Sequence, residues 1–271
     1  MLYAAYTPPA TGLAARSAIV DLIQGIYETY PAHARKIVRN RIYATAVPTP
    51  MCQAMGKVAA KRITAGVAPF ASGVTDLPEA AKFSVTDVLE NEAIRIYGIP
   101  RESPVSREPS DPPEISDAPK TLATPLSAMN LALTLAGSVV RKGELYDQAR
   151  PVGAVLVDAR GNVLGTAINT NARNRTLHAE INLIQNYDSR HGLPLPAGCA
   201  IYVSLKPCKM CAAMIGHAAG PGLGALRVLY AEDDPGPQAR HTFLDQVAGV
   251  QTHWGFETGS PVGDVQRVRE F

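Results

Sequence analysis

Two short stretches constrain this chain more than anything else in it: Leu177-His178-Ala179-Glu180 and Pro207-Cys208-Lys209-Met210-Cys211. Together they supply one imidazole, two thiols and one carboxylate. One nitrogen and two sulfur donors suit Zn²⁺, and three protein ligands in place of four leave a coordination position for water. The carboxylate two residues after the histidine is then free to carry protons. Pro207 has no N–H to donate, and its fixed φ suits the first turn of a helix. A helix opening there sets Cys208 and Cys211 three apart on one face, within reach of a single ion. Its positive end also favours thiolate over thiol. Ahead of it, Ala200-Ile201-Tyr202-Val203-Ser204-Leu205 reads as a buried strand. The second half of the site therefore falls at a strand-to-helix junction, a usual place for a site in an α/β protein.

Either half alone has a plainer reading. A lone C-x-x-C is a redox dithiol or half of a structural zinc site, and a lone H-x-E is any helix start. A structural site wants a fourth ligand, for which Cys199, His191 and His217 are the candidates. The two halves together, in this order, speak instead for an open site that does chemistry.

Composition sets the frame. The 271 residues suffice for one large or two ordinary domains, and an apolar content of 46% is that of a globular chain. No run approaches the roughly 18 apolar residues of a membrane span. The N-terminus shows no charged region followed by an apolar one, so no signal peptide is expected. Four cysteines, two of them assigned to metal, speak against a disulfide framework and for a reducing cytoplasm. Cys52 and Cys199 read as small buried hydrophobes. The net charge of +2 is spread evenly along the chain, without the basic excess of a dedicated nucleic-acid binder.

Residues 1–98 form one block, expected to be mainly helical and of no readable function, with substrate binding or self-association as its default roles. Ala18 to Tyr27 has apolar residues at helical spacing, and Met51 to Ile63 and Val85 to Ile96 read as further helices. Arg35, Lys36, Arg39 and Arg41 make a small basic cluster, read as a solvated face. Residues 99–125 carry seven prolines among Ser, Asp and Glu, the composition of a linker. From residue 126 to the end, helix and strand alternate. Leu126 to Arg141 is a helix, and the strands at 152–157 and 163–168 are joined by a turn at Ala159-Arg160-Gly161-Asn162. A loop with Asn169, Asn171 and Asn174 leads to the His178 helix. The strand and helix around Pro207 follow, then a strand at 225–230, a helix at 238–250 and a last strand at 251–256. That helix is long enough for a crossover, so the strands bearing Tyr230 and Trp254 should run parallel. The expected fold is a three-layer α-β-α sandwich with a mixed sheet.

From residue 126 to 256 the chain resembles the cytidine deaminase-like superfamily of zinc deaminases. It is most similar to the branch holding tRNA adenosine deaminase, guanine deaminase, deoxycytidylate deaminase and the polynucleotide cytidine deaminases. H-x-E followed by P-C-x-x-C is the signature of such enzymes. Ser204-Leu205-Lys206-Pro207-Cys208-Lys209-Met210-Cys211 is similar to the tRNA adenosine deaminase motif, with Lys206 where that family usually has glutamate. A small group of predicted bacterial nucleotide deaminases with an extra N-terminal domain looks closer still.

The resemblance implies that His178, Cys208 and Cys211 hold Zn²⁺ and that Glu180 shuttles protons. It places Asn169 at the substrate sugar, with Asn171 its rival, and puts Ala179 among the substrate contacts. Arg173 and Arg175, just before His178, are candidates for a substrate phosphate, with a solvated loop as the alternative. Tyr230 and Trp254 read as core aromatics, with base stacking as the rarer role. The implied activity is hydrolytic deamination of a cytosine-, adenine- or guanine-type base in a nucleotide or single-stranded nucleic acid. The rival class is a non-enzymatic binding protein that keeps zinc as structure.

Overall fold

The computed structural model describes residues 14–44, 47–60, 62–65, 120–139, 150–256 and 268–270. The helix expected at Val85 to Ile96, and the Pro-rich segment up to residue 119, lie outside the described residues. The described residues fall into two compact units, one within 16–65 and the other made of 14–15 with 120–270.

In the first unit, helix α1 (Ala18–Thr29) begins where Ser17 accepts a hydrogen bond from the Val20 N–H at 3.3 Å. Ile19, Val20, Ile23, Ile26 and Tyr27 are its buried face. A short helix α2 (Ala34–Ile37) leads to strand β1 (Arg41–Ala44). Helix α3 (Pro50–Ala59) is capped by Thr49 and has proline at its first position, the residue best suited there. Strand β2 (Arg62–Ala65) then pairs in parallel with β1, Ile42 opposite Ile63. Met51 to Ile63 is thus not one helix. Ala60 turns extended, and Ile63 gains a strand partner in place of another helical turn. The Ser17 hydroxyl lies 3.0 Å from the Cys52 thiol, joining the starts of α1 and α3. This helical unit therefore also holds a β-α-β turn that periodicity alone did not reveal.

The second unit is the sandwich. Its elements are α4 (Pro125–Gly137), β3 (Gly153–Val157), β4 (Val163–Ile168), α5 (Ala179–His191), β5 (Ala200–Leu205), α6 (Lys209–Ala219), β6 (Arg227–Glu232), β7 (Gln251–Phe256) and β8 (Val268–Glu270). The sheet runs β4-β3-β5-β6-β7-β8. The β3–β4, β3–β5 and β7–β8 pairs are antiparallel, and β5–β6 and β6–β7 are parallel. Alternation sorts its faces. Val155, Val157, Ala200, Tyr202, Leu229, Ala231 and Trp254 meet Met129, Ala132 and Leu135 of α4 in one core. Their neighbours Leu156, Ile201, Val203 and Val228 are also buried, on the opposite face. Helix α5 packs on β4 and β3, and α6 packs beside α5. At Gly153 a Cβ would run into the Ala132 carbonyl, so α4 lies directly on β3.

Two boundaries differ from the sequence reading. The last residues of the expected linker are folded: Leu122 is buried, its N–H donates to the Gly161 carbonyl, and Lys120 accepts from Val163. The helix expected at 238–250 is absent. In its place stand two short 3₁₀ turns, Pro237–Ala239 and Leu244–Gln246. Pro235 and Pro237 flank Gly236, His241 takes φ 52°, and Thr242 and Asp245 cap one another. These residues stop a helix that apolar spacing alone would propose. The strands on either side still run parallel, Val228 opposite Gln251 and Tyr230 opposite His253.

Candidate active site

Two helices begin side by side at the end of the sheet. His178 is the N-cap of α5 and Cys208 the N-cap of α6, both with extended backbone. Pro207 thus stands just outside the helix, and Cys211 lies in its first turn. The Ala212 N–H donates to the Cys208 carbonyl at 2.8 Å and the Asn182 N–H to the His178 carbonyl at 2.9 Å, so each ligand is fixed by its own helix. The positive end of α6 lies at its N-cap Cys208 and favours thiolate there.

Across this junction the donor atoms form a near-equilateral triangle. His178 Nδ1 lies 3.6 Å from Cys208 Sγ and 3.5 Å from Cys211 Sγ, and the two sulfurs are 3.5 Å apart. A tetrahedral Zn²⁺ with ordinary Zn–N and Zn–S bonds needs edges of about 3.6 Å between nitrogen and sulfur and about 3.8 Å between sulfurs. The residues present therefore fit zinc in both chemistry and spacing. Among the described residues these three are the only group of histidine, cysteine and acid side chains close enough to share an ion.

The proton balance of the bare triad points the same way. Hydrogen bonding from Cys211 and the nearby imidazole outweigh burial and bring Cys208 well below the usual thiol range. Burial and the Cys208 charge hold Cys211 well above it. Burial would lower His178, but the Cys208 thiolate reverses this and raises it to about 9. The cluster thus holds protons that a cation would displace.

Glu180 is the second residue of α5 and is 3% exposed. Burial raises its carboxyl to about 7, against the pull of His178. Its charge and that of the triad act on one another, which helps to hold the Cys211 thiol up. The carboxylate thus lies against the triad while standing outside the ligand group.

The other expected residues fall as follows. Ala179 is fully buried as the first residue of α5. Asn169 is buried just past β4, where its Oδ1 accepts from Val152 at 2.7 Å. Its Nδ2 donates to the Arg150 carbonyl and to Asn171 Oδ1, each at 2.8 Å. Arg173 is exposed, and Arg175 is half-buried with its charge felt at His178. Cys199, His191 and His217 stay outside the cluster. Cys199 precedes β5, its thiol raised to about 11 by burial. His191 lies against Tyr187, and His217 bonds the Ala14 carbonyl at 2.9 Å. Tyr230 is buried and stacked on His253 with ring centres 5.0 Å apart, and Trp254 is in the α4 core. Sequence reasoning passed over Asn182, buried one turn after His178. The only signal for it was a polar residue inside an apolar stretch at four-residue spacing from the ligand.

The comparisons support a resemblance of residues 143–254 to the cytidine deaminase-like superfamily. Residues 143–254 match the family model described as Bd3614-like deaminase. The chain is 37% identical over 116 residues to tRNA(Ile)-lysidine synthase of Deinococcus radiodurans, an overlap of 38% of this chain and 19% of that protein. It is 37% identical over 92 residues to tRNA-specific adenosine deaminase of Haemophilus influenzae, 33% of this chain and 50% of that one. It thus spans half or less of the length of these two relatives. A structure described as "Biochemical and Structural Studies of A-to-I Editing by tRNA:A34 Deaminases at the Wobble Position of Transfer RNA" matches with a TM-score of 0.35 and 28% identity. That match covers 48% of this chain and 97% of the other.

Proposed function

We propose that this protein is a zinc-dependent hydrolase that removes the exocyclic amine of a nucleobase, in a nucleotide or a nucleic acid, as ammonia. The observation that carries the reading is the His178–Cys208–Cys211 triangle with Glu180 buried against it and outside the ligand set. Three ligands leave room for water, where a structural site takes four.

His178, Cys208 and Cys211 would hold the metal. Zinc, when bound, supplies Lewis acidity that brings the pKa of a coordinated water towards neutrality. Glu180 accepts a proton from the attacking water and delivers protons to the ring nitrogen and the departing amine. A buried carboxyl beside the ligands is placed for both halves of that exchange. The sum is amidine plus water to carbonyl plus ammonia. The N–H groups at the start of α6 face the same point and favour the charge that develops there. Asn169, Asn171 and Ala179 border the substrate, and Arg173 and Arg175 meet a phosphate, which favours a nucleotide or polynucleotide over a free base. The tRNA-specific adenosine deaminase named above supports a nucleobase within nucleic acid. Lys206 departs from that family's motif and leaves the base open among cytosine, adenine and guanine types.

The test is ammonia release by the zinc-loaded protein across nucleosides, nucleotides and single-stranded oligonucleotides. Turnover of at least one, abolished by chelation and restored by Zn²⁺, is the expected result. Stoichiometric zinc with no turnover of any would replace the enzyme with a binding protein that keeps zinc as structure. Equal kcat/KM for a nucleoside and its monophosphate, unchanged in Arg173→Ala and Arg175→Ala, would remove the phosphate contact.

A further inference from the structure

The loop between β4 and α5 rests on four polar side chains that are almost fully enclosed: Asn169, Asn174, Thr176 and Asn182, at 5%, 2%, 0% and 1% exposure. Enclosing polar groups is costly unless each finds a partner. Asn174 Oδ1 accepts from the Thr176 N–H at 3.2 Å and the Thr176 hydroxyl at 2.7 Å, within the loop itself. Asn182 behaves differently. It sits on α5 one turn after His178, yet its Nδ2 reaches out to the Ile168 carbonyl at 2.8 Å and the Thr170 hydroxyl at 3.0 Å. Its Oδ1 is buried with no hydrogen-bond partner.

The two acceptors flank Asn169. The Thr170 N–H in turn donates to the Leu177 carbonyl at 2.9 Å, closing the loop onto the residue before His178. One amide therefore ties the end of β4, the first turn of the loop and the metal-bearing helix together. A leucine there would leave the Ile168 carbonyl and the Thr170 hydroxyl without this donor, so the asparagine serves the bonds it gives the loop and not packing alone.

We propose that Asn182 is a positioning residue that fixes the 169–177 loop, with Asn169 and Asn171, against the helix carrying His178 and Glu180, and so sets where substrate lies relative to the metal triad. The substrate part rests on the deaminase reading, whereas the loop part stands without it.

Two variants of the full chain, Asn182→Leu and Thr170→Val, are compared with wild type in the zinc-loaded state. Amide exchange at Thr170 and Leu177 should speed up about tenfold or more in both, with β5 unchanged, because the bonds lost are local. Zinc per chain should stay at the wild-type level. On the best substrate, kcat/KM should fall about 10–100-fold, mainly through KM, since a misplaced loop loses contacts that hold the substrate. The double variant should lose no more than Asn182→Leu alone, because the two residues share one bond. Unchanged loop exchange in both variants overturns the proposal. So does a lower Tm accompanied by wild-type kcat/KM in the folded fraction, which would make Asn182 structural only. If wild type turns over nothing in the panel, the deaminase reading fails and the exchange result alone decides Asn182.

Discussion

Two connections leave neighbouring strands at the same end of the sheet, where Leu205 is paired with Glu232. After β5 the chain enters a regular helix within four residues and presents Cys208 and Cys211. After β6 it crosses to β7 through eighteen residues that hold only short 3₁₀ turns. The first connection is held by its own backbone: Pro207, a helix start and an i+3 spacing. The second is held by side-chain contacts. Lys206 reaches Asp245 at 3.3 Å and lies 5.6 Å from the centre of the Tyr230 ring. Phe243 covers Gly216 of α6, where a Cβ would overlap its ring. Thr242 and Asp245 bond each other in both directions. A parallel crossover therefore needs length and anchors, and a helix is only one way to supply them.

The sharpest break in the comparison is at the first connection. Cys208→Ala or His178→Ala should lose both zinc and turnover, read by metal analysis and ammonia release, because two remaining ligands cannot hold the ion. Retained zinc at one per chain in either variant would refute the triad. Glu180→Gln separates chemistry from binding at the same place. It should keep zinc and lose about 10²–10⁴-fold in kcat, the usual contribution of a positioned general acid or base. Loss of zinc there would make Glu180 a ligand and return the structural-zinc reading.

The second connection should answer to packing. Gly216→Val forces the Phe243 ring away and should cost about 1–3 kcal/mol, the range for overpacking a filled site. Thermal unfolding of the zinc-loaded protein reads this, and an unchanged Tm would show that Phe243 is not the anchor. Lys206→Met should have the smallest effect, about 0.2–1 kcal/mol, because the ion pair is partly exposed. Burial pushes the Asp245 carboxyl up, yet the Thr242 N–H and Lys206 together hold it below its ordinary value. Its folded pKa is thus depressed, so this stabilisation is present above about pH 4 and fades as pH falls through the folded value. In Lys206→Met the acid-side loss of Tm should be smaller than in wild type.

The same contrast explains what was legible. His178, Glu180, Cys208 and Cys211 were readable because their spacing is a property of helix starts, decided within a few residues. The hairpin and the buried β5 strand were readable because a period of two and a turn signal are equally local. The parallel β6–β7 pair was expected correctly, on the strength of a helix that is not there. Ile63 was misread because its helical spacing yields to pairing with Ile42. Leu122 was misread because linker composition says nothing about a hairpin turn waiting to accept it.

By itself, then, the sequence determined the histidine, the two cysteines, the glutamate and the elements that bear them, since these depend on residue type and near-neighbour geometry. Only the tertiary structure decided that His178 meets two sulfurs thirty and thirty-three residues away. It also decided that Asn182 on its helix ties down the loop that follows β4, and that Lys206 faces Asp245. Each of these depends on which surfaces pack together. Burial and hydrogen-bond satisfaction across the whole sheet settle that, at separations where local propensity carries no information.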